Sequence, residues 1–299
     1  MIQENYIRKC RVIPGKKVDL KRFGTGWAQD EKLKAAGKET IREQARKILE
    51  QNRRDLDVSQ ELLWASDTYS VLIILQGMDT SGKDGIIKHV MSGVNPQGCR
   101  VASFKVPSEE ELDHNFLWRY WRHLPARGEI GVFNRSYYEE VLVVRVHPDL
   151  IDRQRLPLGK RNRDFWKTRY DDINAFERHL VQNGTVILKF FLHISKEEQK
   201  ERLLARLKEN EKLWKFSLSD LAERNFWDDY IGAYEEMLHA TSTEWAPWYV
   251  IPADHKWVAR TLVADIVSSA ISSLDLRYPK VSDDVSARLE KARHELESE

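Results

Sequence analysis

The sequence predicts an α/β protein in which five strands form a mostly parallel, doubly wound sheet flanked by helices. Five short apolar runs are separated by segments with helical periodicity. The first run, VLIILQ at 71–76, is continuously apolar, as strands are when both faces of their sheet are covered. Alternation of strands and helices is typical of a doubly wound sheet, in which ligands bind at the carboxyl ends of the strands.

The remaining elements follow from periodicity and charge. An amphipathic helix is predicted over 39–64, whereas residues 1–40 are polar with little periodicity and 282–299 have the pattern of a charged, solvated helix. We expect an N-terminal extension and helix at 1–66, a central domain at 67–276 with a lid at about 195–245, and a charged tail at 277–299. The five predicted strands are 71–76, 100–104, 129–134, 185–194 and 248–252.

Composition argues against several classes of protein. The 48 basic and 47 acidic residues give a formal charge of +1, which favours neither a nucleic-acid coat nor a polybasic membrane anchor. The two cysteines, Cys10 and Cys99, are too few for a disulfide framework and fit a reducing compartment. We find no apolar signal-peptide core and no apolar run long enough to span a bilayer. We therefore expect a cytoplasmic protein that binds neither nucleic acid nor membranes.

The strongest motif, GMDTSGKDG at 77–85, lies between the first strand and a helical pattern. Its G-x-x-x-x-G-K spacing in a strand-loop-helix setting is typical of a phosphate-binding loop. Backbone N–H groups and the helix N-terminus bind phosphate oxygens, while the lysine reaches the bridging and terminal oxygens. The alternative is a glycine-rich structural turn. The predicted phosphate ligands in this loop are Gly77, Met78, Thr80, Ser81, Gly82, Lys83, Asp84 and Gly85.

Two acids of the loop indicate a metal ion. Asp84 stands where Ser or Thr normally places a hydroxyl on Mg²⁺, and Asp79 is a second carboxylate. Because two carboxylates repel a polyanion unless a cation lies between them, we expect Asp79 and Asp84 to hold Mg²⁺, or alternatively Mn²⁺, directly or through water. For Asp84 the alternative is a helix N-terminal acid that the helix dipole favours.

Polar residues also follow the third strand. Many phosphate-loop enzymes have a metal-organising Asp there, but this chain has Asn134 followed by Arg135. Asn134 can orient a water molecule or a phosphate oxygen. Arg135 can bind phosphate, or it can form a structural ion pair with Glu139 or Glu140.

Arginines and lysines elsewhere are further candidates for anion binding. Arg202 and Arg206, after the fourth strand, share one helix face and can close over a transferring phosphoryl group, unless they pair with Glu198 or Glu209. Two basic groups can line a channel for a long polyanion, unless they belong to solvated faces. These groups are Lys160, Arg161 and Arg163 on one wall, and Lys105, Arg119 and Arg122 on the other.

With these residues identified, the chain resembles the family-2 polyphosphate kinases from about Ile13 to Leu276. Several blocks in order are more specific than the loop alone. Besides GMDTSGKDG, the blocks are GVNPQG (93–98), SFKVPSEEELDHNFLWR (103–119), FNRSYYEEVLVVRVHP (133–148), LKFFLHISKEEQ (188–199), WKFS (214–217), WDDY (227–230) and APWYVIPAD (246–254).

The resemblance implies a fold similar to thymidylate kinase with a helical lid. It also implies reversible, Mg²⁺-dependent phosphoryl transfer between inorganic polyphosphate and nucleotides (AMP to ADP, ADP to ATP) by a homo-oligomer. Many members have Asp where this chain has Asn134. That departure, with YYEEVLVVRV after it, looks like the subgroup that acts on both nucleoside mono- and diphosphates.

The expected catalytic residues are charged groups that position and neutralise phosphate. Asp79 is expected to orient or deprotonate the attacking phosphate oxygen. Two other hypotheses stay open: an ATP-dependent nucleotide or small-molecule kinase, and a non-catalytic nucleotide-sensing module. The expected catalytic set is Asp79, Lys83, Arg135, Arg202 and Arg206.

Overall fold

A five-stranded, fully parallel sheet organises the chain in the computed structural model, which describes residues 2–28, 31–157, 159 and 161–299. The spatial order is β2-β3-β1-β4-β5. Each strand begins and ends within one residue of its predicted bounds, so the predicted fold class is confirmed. The strands are β1 Ser70–Gln76, β2 Cys99–Ser103, β3 Ile130–Asn134, β4 Thr185–His193 and β5 Trp248–Pro252.

The central strand β1 lies at the point where the chain changes direction across the sheet. It pairs with β3 on one side and with β4 on the other, so that Val71 lies opposite both Ile130 and Val186. Every residue of β1 is buried, which explains its continuous apolar sequence. The chain passes from β1 to β2 on one side of β1 and later crosses from β3 to β4 on the other side, so a crevice opens beyond the carboxyl end of β1.

Two groups of helices flank the sheet. In the first, α3 and α4 pack against α12; in the second, α8 packs against β4, and α11 contacts both α7 and α8. The helices are α1 Ile2–Cys10, α2 Glu31–Ala36, α3 Lys38–Ser66, α4 Lys83–Val90, α5 Glu109–Leu112, α6 Trp118–Trp121, α7 Val143–Val146, α8 Arg163–Gln182, α9 Lys196–Lys208, α10 Leu218–Glu223, α11 Trp227–Thr241, α12 Lys256–Ser272 and α13 Asp283–Glu297. Short 3₁₀ helices span Leu20–Arg22, Pro96–Gly98, Tyr137–Val141, Pro148–Gln154, Asn210–Lys215 and Arg224–Phe226.

The N-terminal segment covers the edge of the sheet at β5. Tyr6, Cys10 and Val12 are buried in the main hydrophobic core. The Val12 amide donates to the Trp248 carbonyl at 2.9 Å, next to an antiparallel bridge between Arg11 and Tyr249. The polar pattern of residues 1–40 did not indicate this role, because the buried positions follow neither a helical nor a strand period.

At the opposite end of the chain, α13 has no buried residue, which agrees with a charged, solvated helix. Within the described ranges we find no helix with both the length and the apolar character that crossing a bilayer requires.

A fully buried ion pair joins the sheet to α8. Lys189 of β4 donates to Glu177 Oε2 at 2.6 Å, and both side chains have no exposed surface. Glu177 Oε1 accepts hydrogen bonds from the hydroxyls of Tyr137 and Tyr138, and Lys189 also donates to Tyr138 and to the Thr241 carbonyl. Burial lowers the pKa of Lys189, and the Glu177 carboxylate opposes that effect. The charges are therefore stable inside the protein only as a pair.

We predict that Lys189→Met lowers the free energy of unfolding by about 3–5 kcal/mol, because the Glu177 carboxylate is then buried without its cation. Urea unfolding at neutral pH measures this loss. The double variant Lys189→Met/Glu177→Gln should recover a large part of it, since no charge remains to be desolvated. A double variant that is as unstable as the sum of the two single variants would contradict this account of the pair.

Candidate active site

The loop between β1 and α4 follows a path that requires glycine at its first residue. Gly77 has φ +153°, and a Cβ there would lie 2.8 Å from the Leu192 carbonyl oxygen and 2.8 Å from Ser81 Oγ. Gly82, with φ +106°, caps the N-terminus of α4. The first N–H groups of a helix have no intrahelical acceptors and favour an anion, so the backbone here suits phosphate.

Lys83, the first residue of α4, folds back over this loop. Its Nζ donates to the carbonyl oxygens of Gly77 at 2.7 Å and Met78 at 3.2 Å. Burial, and next the positive charge of Arg135, lower the pKa of Lys83 to about 8. A nearby polyanion would stabilise the protonated amine, so the side chain is poised to exchange carbonyl oxygens for phosphate oxygens.

Two hydroxyl groups of the loop also have unused hydrogen-bonding capacity. Thr80 Oγ1 and Ser81 Oγ are buried, and the described part of the protein provides no hydrogen-bond partner for either. Buried hydroxyls without partners are costly. Oxygen atoms of a bound phosphate, or the water molecules of a hydrated metal ion, would satisfy them.

Arg135 lies between two acids directly after β3. Its Nη2 donates to Asp79 Oδ1 at 2.6 Å and its Nη1 to Glu139 Oε2 at 3.0 Å. The Glu139 carboxylate is the largest cause that raises the pKa of Arg135. The predicted alternative, an ion pair with Glu139 or Glu140, is therefore present for Glu139. The Glu140 carboxylate pairs with Arg169 instead, at 2.9 Å.

The backbone of Arg135 has φ +65°, a left-handed conformation that is unfavourable for a side chain of this size. Its amide donates to the Leu75 carbonyl at 3.0 Å, which fixes the turn against the end of β1. This geometry places the guanidinium beside the loop acid Asp79. The hydrogen bond of the Arg135 amide therefore stabilises the strained backbone in a position from which the guanidinium faces the phosphate loop.

Asp84 and Asn134 are joined by a hydrogen bond that the sequence did not reveal. Asn134 Nδ2 donates to Asp84 Oδ1 at 2.8 Å. Asp84 also lies in the first turn of α4, as the helix-dipole alternative requires. The amide of Asn134 thus orients the carboxylate without adding a second charge.

Arg202, on α9, holds the loop in place from the side. All three of its nitrogens donate hydrogen bonds, five in total. The expected closure over a phosphoryl group is thus not the arrangement seen here, and the predicted pairing with Glu198 is present. The acceptors are Glu198 Oε1 at 2.8 Å, Thr80 O at 2.9 Å, Ser81 O at 3.1 Å, Ala253 O at 2.6 Å and Asp254 O at 3.0 Å.

Arg206, one turn further along α9, pairs with Asp220 of α10 at 3.0 Å. Burial and the negative charge of Asp79 raise the pKa of Asp220, while Arg206 opposes the rise. The sequence predicted the position of Arg206 at the site but not this partner, because Asp220 lies 14 residues later on the next α-helix, where the i,i+4 spacing used for Arg206 gives no indication of a contact.

Two further cations were missed by the sequence reasoning: Lys256 and Arg260, on the first turns of α12. Arg260 Nη2 lies 3.5 Å from the place where a Cβ on Gly85 would stand. Burial, and next the charge of Arg202, lower the pKa of Arg260. The two residues are four apart on the helix that follows β5. The same pattern, two basic residues four apart after a strand, had identified Arg202 and Arg206 after β4.

These groups surround a cavity of about 410 Å³ at the carboxyl ends of the strands. Six basic and two acidic side chains line it, so the cavity is strongly positive while the chain as a whole is nearly neutral. A phosphate polyanion fits this imbalance. The lining residues are Asp79, Thr80, Ser81, Gly82, Lys83, Asp84, Gly85, Ile86, Asn134, Arg135, Arg202, Ala205, Arg206, Lys256, Ala259 and Arg260.

The predicted channel residues do not line this cavity. Arg119 is 7% exposed and pairs with Glu111 at 3.3 Å, so in this conformation it offers little surface to a channel. Arg122 lies over the Trp118 ring, and Arg161 lies over the Phe165 ring. Lys105 and Arg163 are exposed, and Lys160 lies outside the described residues.

Comparison with known proteins assigns the chain to a protein family. The family model for polyphosphate kinase 2 matches residues 39–279. The chain is similar to the ADP-polyphosphate phosphotransferase of Rhodopseudomonas palustris, with 49% identity over 97% of this chain and 98% of the relative. It is also similar to the AMP/ADP-polyphosphate phosphotransferase of Meiothermus ruber, with 47% identity over 92% of this chain and 96% of the relative.

Solved structures agree with the sequence comparisons. The crystal structure of polyphosphate kinase 2 from Arthrobacter aurescens superposes with a TM-score of 0.79 at 39% identity, covering 96% of both chains. The putative polyphosphate kinase 2 from Pseudomonas aeruginosa superposes with a TM-score of 0.69 at 32% identity, over 77% of this chain and 47% of the other.

The lowered pKa of Lys83 predicts a pH dependence of anion binding. Sulfate is a suitable probe because it remains a dianion throughout the range. Lys83 loses its positive charge as the pH rises through about 8, so sulfate should bind more weakly above that pH, by about tenfold per unit once Lys83 is mostly neutral. Calorimetric titration between pH 7 and 9.5 measures the affinity.

The matched variants are Lys83→Arg, which stays charged, and Lys88→Arg on the exposed side of the same helix. Lys83→Arg should bind sulfate with nearly constant affinity over this range, and Lys88→Arg should behave as the wild type. An equal decline in all three proteins would show that Lys83 is not the titrating group.

Proposed function

Since the chain belongs to the polyphosphate kinase 2 family, we propose that it catalyses reversible, Mg²⁺-dependent phosphoryl transfer between inorganic polyphosphate and nucleotides, from AMP to ADP and from ADP to ATP. The observation that carries the proposal is the cavity in which six basic side chains converge on a glycine-built phosphate loop. One phosphoanhydride bond is broken and one is formed, so the direction of transfer depends on concentrations.

Phosphoryl transfer mainly requires positioning and charge neutralisation. The terminal phosphate of a nucleotide, with a second pKa of about 6, is already largely ionised at neutral pH and needs no strong base to attack. In the proposed mechanism Lys83 leaves the Gly77 and Met78 carbonyls and binds phosphate oxygens. Arg135 then neutralises charge from the opposite side of the loop, and Asp79 orients its guanidinium.

The acids fit a magnesium ion. Mg²⁺ is usually bound by one or two carboxylates together with substrate phosphates and water, not by an all-protein cage. Asp79 and Asp84 provide two carboxylates in the cavity, and no group of three or more His, Cys, Asp or Glu able to hold a metal occurs among the described residues. Asp79 and Asp84 would hold the ion, which supplies charge neutralisation for the phosphates. Asn134 would keep the Asp84 carboxylate oriented.

Arg202 and Arg206 have different proposed roles. Arg202 acts as a positioning residue, because its five hydrogen bonds fix the loop carbonyls relative to the segment after β5. Arg206 contacts phosphate after α9 and α10 move and its ion pair with Asp220 opens. Lys256 and Arg260 extend the positive surface and bind the phosphates that follow the terminal one.

The proposal also covers the location, assembly and domain organisation of the chain. The chain is proposed to act in the cytoplasm as a homo-oligomer, with a catalytic domain at 67–276 that includes the lid at about 195–245. Asn134, where many members have Asp, supports the subgroup that accepts both mono- and diphosphates.

The decisive assay contains the protein, ADP, long-chain polyphosphate and Mg²⁺, with no ATP. ATP should form, and AMP as a separate acceptor should give ADP. Lys83→Ala should lower kcat/KM by about 10³-fold, because a charge that stabilises the transition state is lost. Lys88→Ala, on the exposed side of the same helix, is the matched control and should keep wild-type activity. Absence of ATP with the wild type would refute the polyphosphate donor and favour an ATP-dependent kinase.

The metal role of Asp84 has its own test. In Asp84→Asn, the Mg²⁺ concentration for half-maximal activity should rise at least about tenfold, because one of two carboxylates is lost. If Asp84 serves only the helix dipole, the variant should show unchanged Mg²⁺ dependence and a stability loss of about 0.3–1 kcal/mol. Activity measured across a Mg²⁺ titration separates the two roles.

A further inference from the structure

A second cavity lies at the edge of the sheet, outside the catalytic site. It has a volume of about 460 Å³, comparable to the catalytic cavity. Its walls come from residues 6–24, and its floor includes Val250 and Pro252, two buried residues on the same face of β5. The function proposed above does not use this cavity.

The charge of the second cavity is unusual for a chain of formal charge +1. Six basic residues and one acid, Asp19, line it. The Asp19 carboxylate already accepts a hydrogen bond from the Lys21 amide at 3.1 Å and pairs with Arg22 at 3.3 Å. Within the described ranges no carboxylate pairs with four of the remaining cations, which are exposed. These four are Arg8, Arg11, Lys16 and Lys17.

The segment that carries these cations is held firmly on the rest of the protein. The Leu20 amide donates to Glu235 Oε1 at 2.8 Å, and Ser242 Oγ donates to the Val12 carbonyl at 2.8 Å. His239 Nδ1 lies 2.9 Å from the carbonyl oxygen of Lys16. Gly15, with φ +74°, makes the turn that presents the two adjacent lysines. The backbone that carries the positive charges is therefore anchored to the rest of the protein and is not a flexible arm.

A short segment separates the two cavities. Pro252 lines the second cavity, while the carbonyls of Ala253 and Asp254 accept hydrogen bonds from Arg202, which lines the catalytic cavity. Three residues span at most about 10 Å, so a linear polymer that leaves one cavity needs only a few repeats to reach the other. The Asp254 amide also donates to the Thr25 carbonyl at 2.9 Å, which ties this segment to the N-terminal one.

We propose that the second cavity binds the body of an inorganic polyphosphate chain whose end occupies the catalytic cavity. The proposal rests on the proposed function for the identity of the polyanion. Repeating phosphate charges match four exposed cations on an anchored backbone, with which no carboxylate of the described residues pairs. Single-stranded nucleic acid matches less well, because base stacking needs exposed aromatic faces, whereas Tyr6 is buried and Phe23 is partly buried.

A second binding site makes the affinity of the protein for polyphosphate depend on the length of the polyphosphate. A long chain engages both cavities, and the second attachment raises its effective affinity without changing the chemical step. Tripolyphosphate can place its end in the catalytic cavity, but it then has too few phosphates left to cross the intervening segment and also bind in the second cavity. Added salt should weaken the binding of long-chain polyphosphate more steeply than that of tripolyphosphate, because the long chain releases more counterions when it binds.

The kinetic test compares Lys16→Glu/Lys17→Glu with the matched control Lys280→Glu/Lys291→Glu, which makes the same charge change on exposed residues near the C-terminus. The N-terminal variant should raise KM for long-chain polyphosphate about tenfold or more, with kcat and the KM for tripolyphosphate unchanged. The control should leave all three values near wild type. Unchanged KM for the long chain, or an equal rise in the control, would overturn the proposal.

A binding measurement keeps this test independent of turnover. Fluorescently end-labelled long-chain polyphosphate should bind to Lys83→Ala, and adding Lys16→Glu/Lys17→Glu should reduce that affinity about tenfold. If the wild type makes no ATP but this loss of binding occurs, the proposed function fails and the second site stands. If ATP forms and binding is unchanged, the second site fails alone. Competition by single-stranded RNA as strong as by unlabelled polyphosphate would contradict the choice of ligand.

Discussion

The structure depends on one electrostatic constraint: many positive charges must stay close together at the carboxyl end of β1 before any polyanion arrives. Three of these charges have different partners inside the protein. Arg135 is held between two carboxylates, Arg202 is surrounded by carbonyl oxygens, and Lys83 rests on the backbone of its own loop. The pKa of Lys83 is nevertheless lowered to about 8. Burial is the largest cause of that lowered pKa and the charge of Arg135 the next, so a bound polyanion would stabilise the protonated Lys83.

The surrounding fold makes this concentration of charge tolerable. The buried strand β1 fixes the start of the phosphate loop, and the strained turn at Arg135 is attached to the same strand by a backbone hydrogen bond. Away from the site, the buried charges of Lys189 and Glu177 compensate each other. The unsatisfied hydroxyls of Thr80 and Ser81 lie where substrate is proposed to bind.

The sequence predicted the parts of the protein that local patterns encode. Five strands, the phosphate loop and the long N-terminal helix follow from periodicity and from glycine spacing, and the structure agrees with them. Contacts between distant segments were not predictable in this way. Arg202 contacts the loop some 120 residues earlier, and the Asn134 to Asp84 bond spans fifty residues. Arg119 was predicted to lie on a channel wall, and the sequence alone does not show that it is buried. The structure instead shows it paired with Glu111.

The central claim is that phosphate passes directly between polyphosphate and nucleotide within the catalytic cavity. Rapid-quench measurement of a single turnover with ³²P-labelled polyphosphate and ADP tests it most directly. The account predicts that label appears in ATP in one phase, with no label on the protein at any time. A labelled protein that forms before ATP and decays as ATP accumulates would contradict it, because a covalent phosphoenzyme would then carry the transfer.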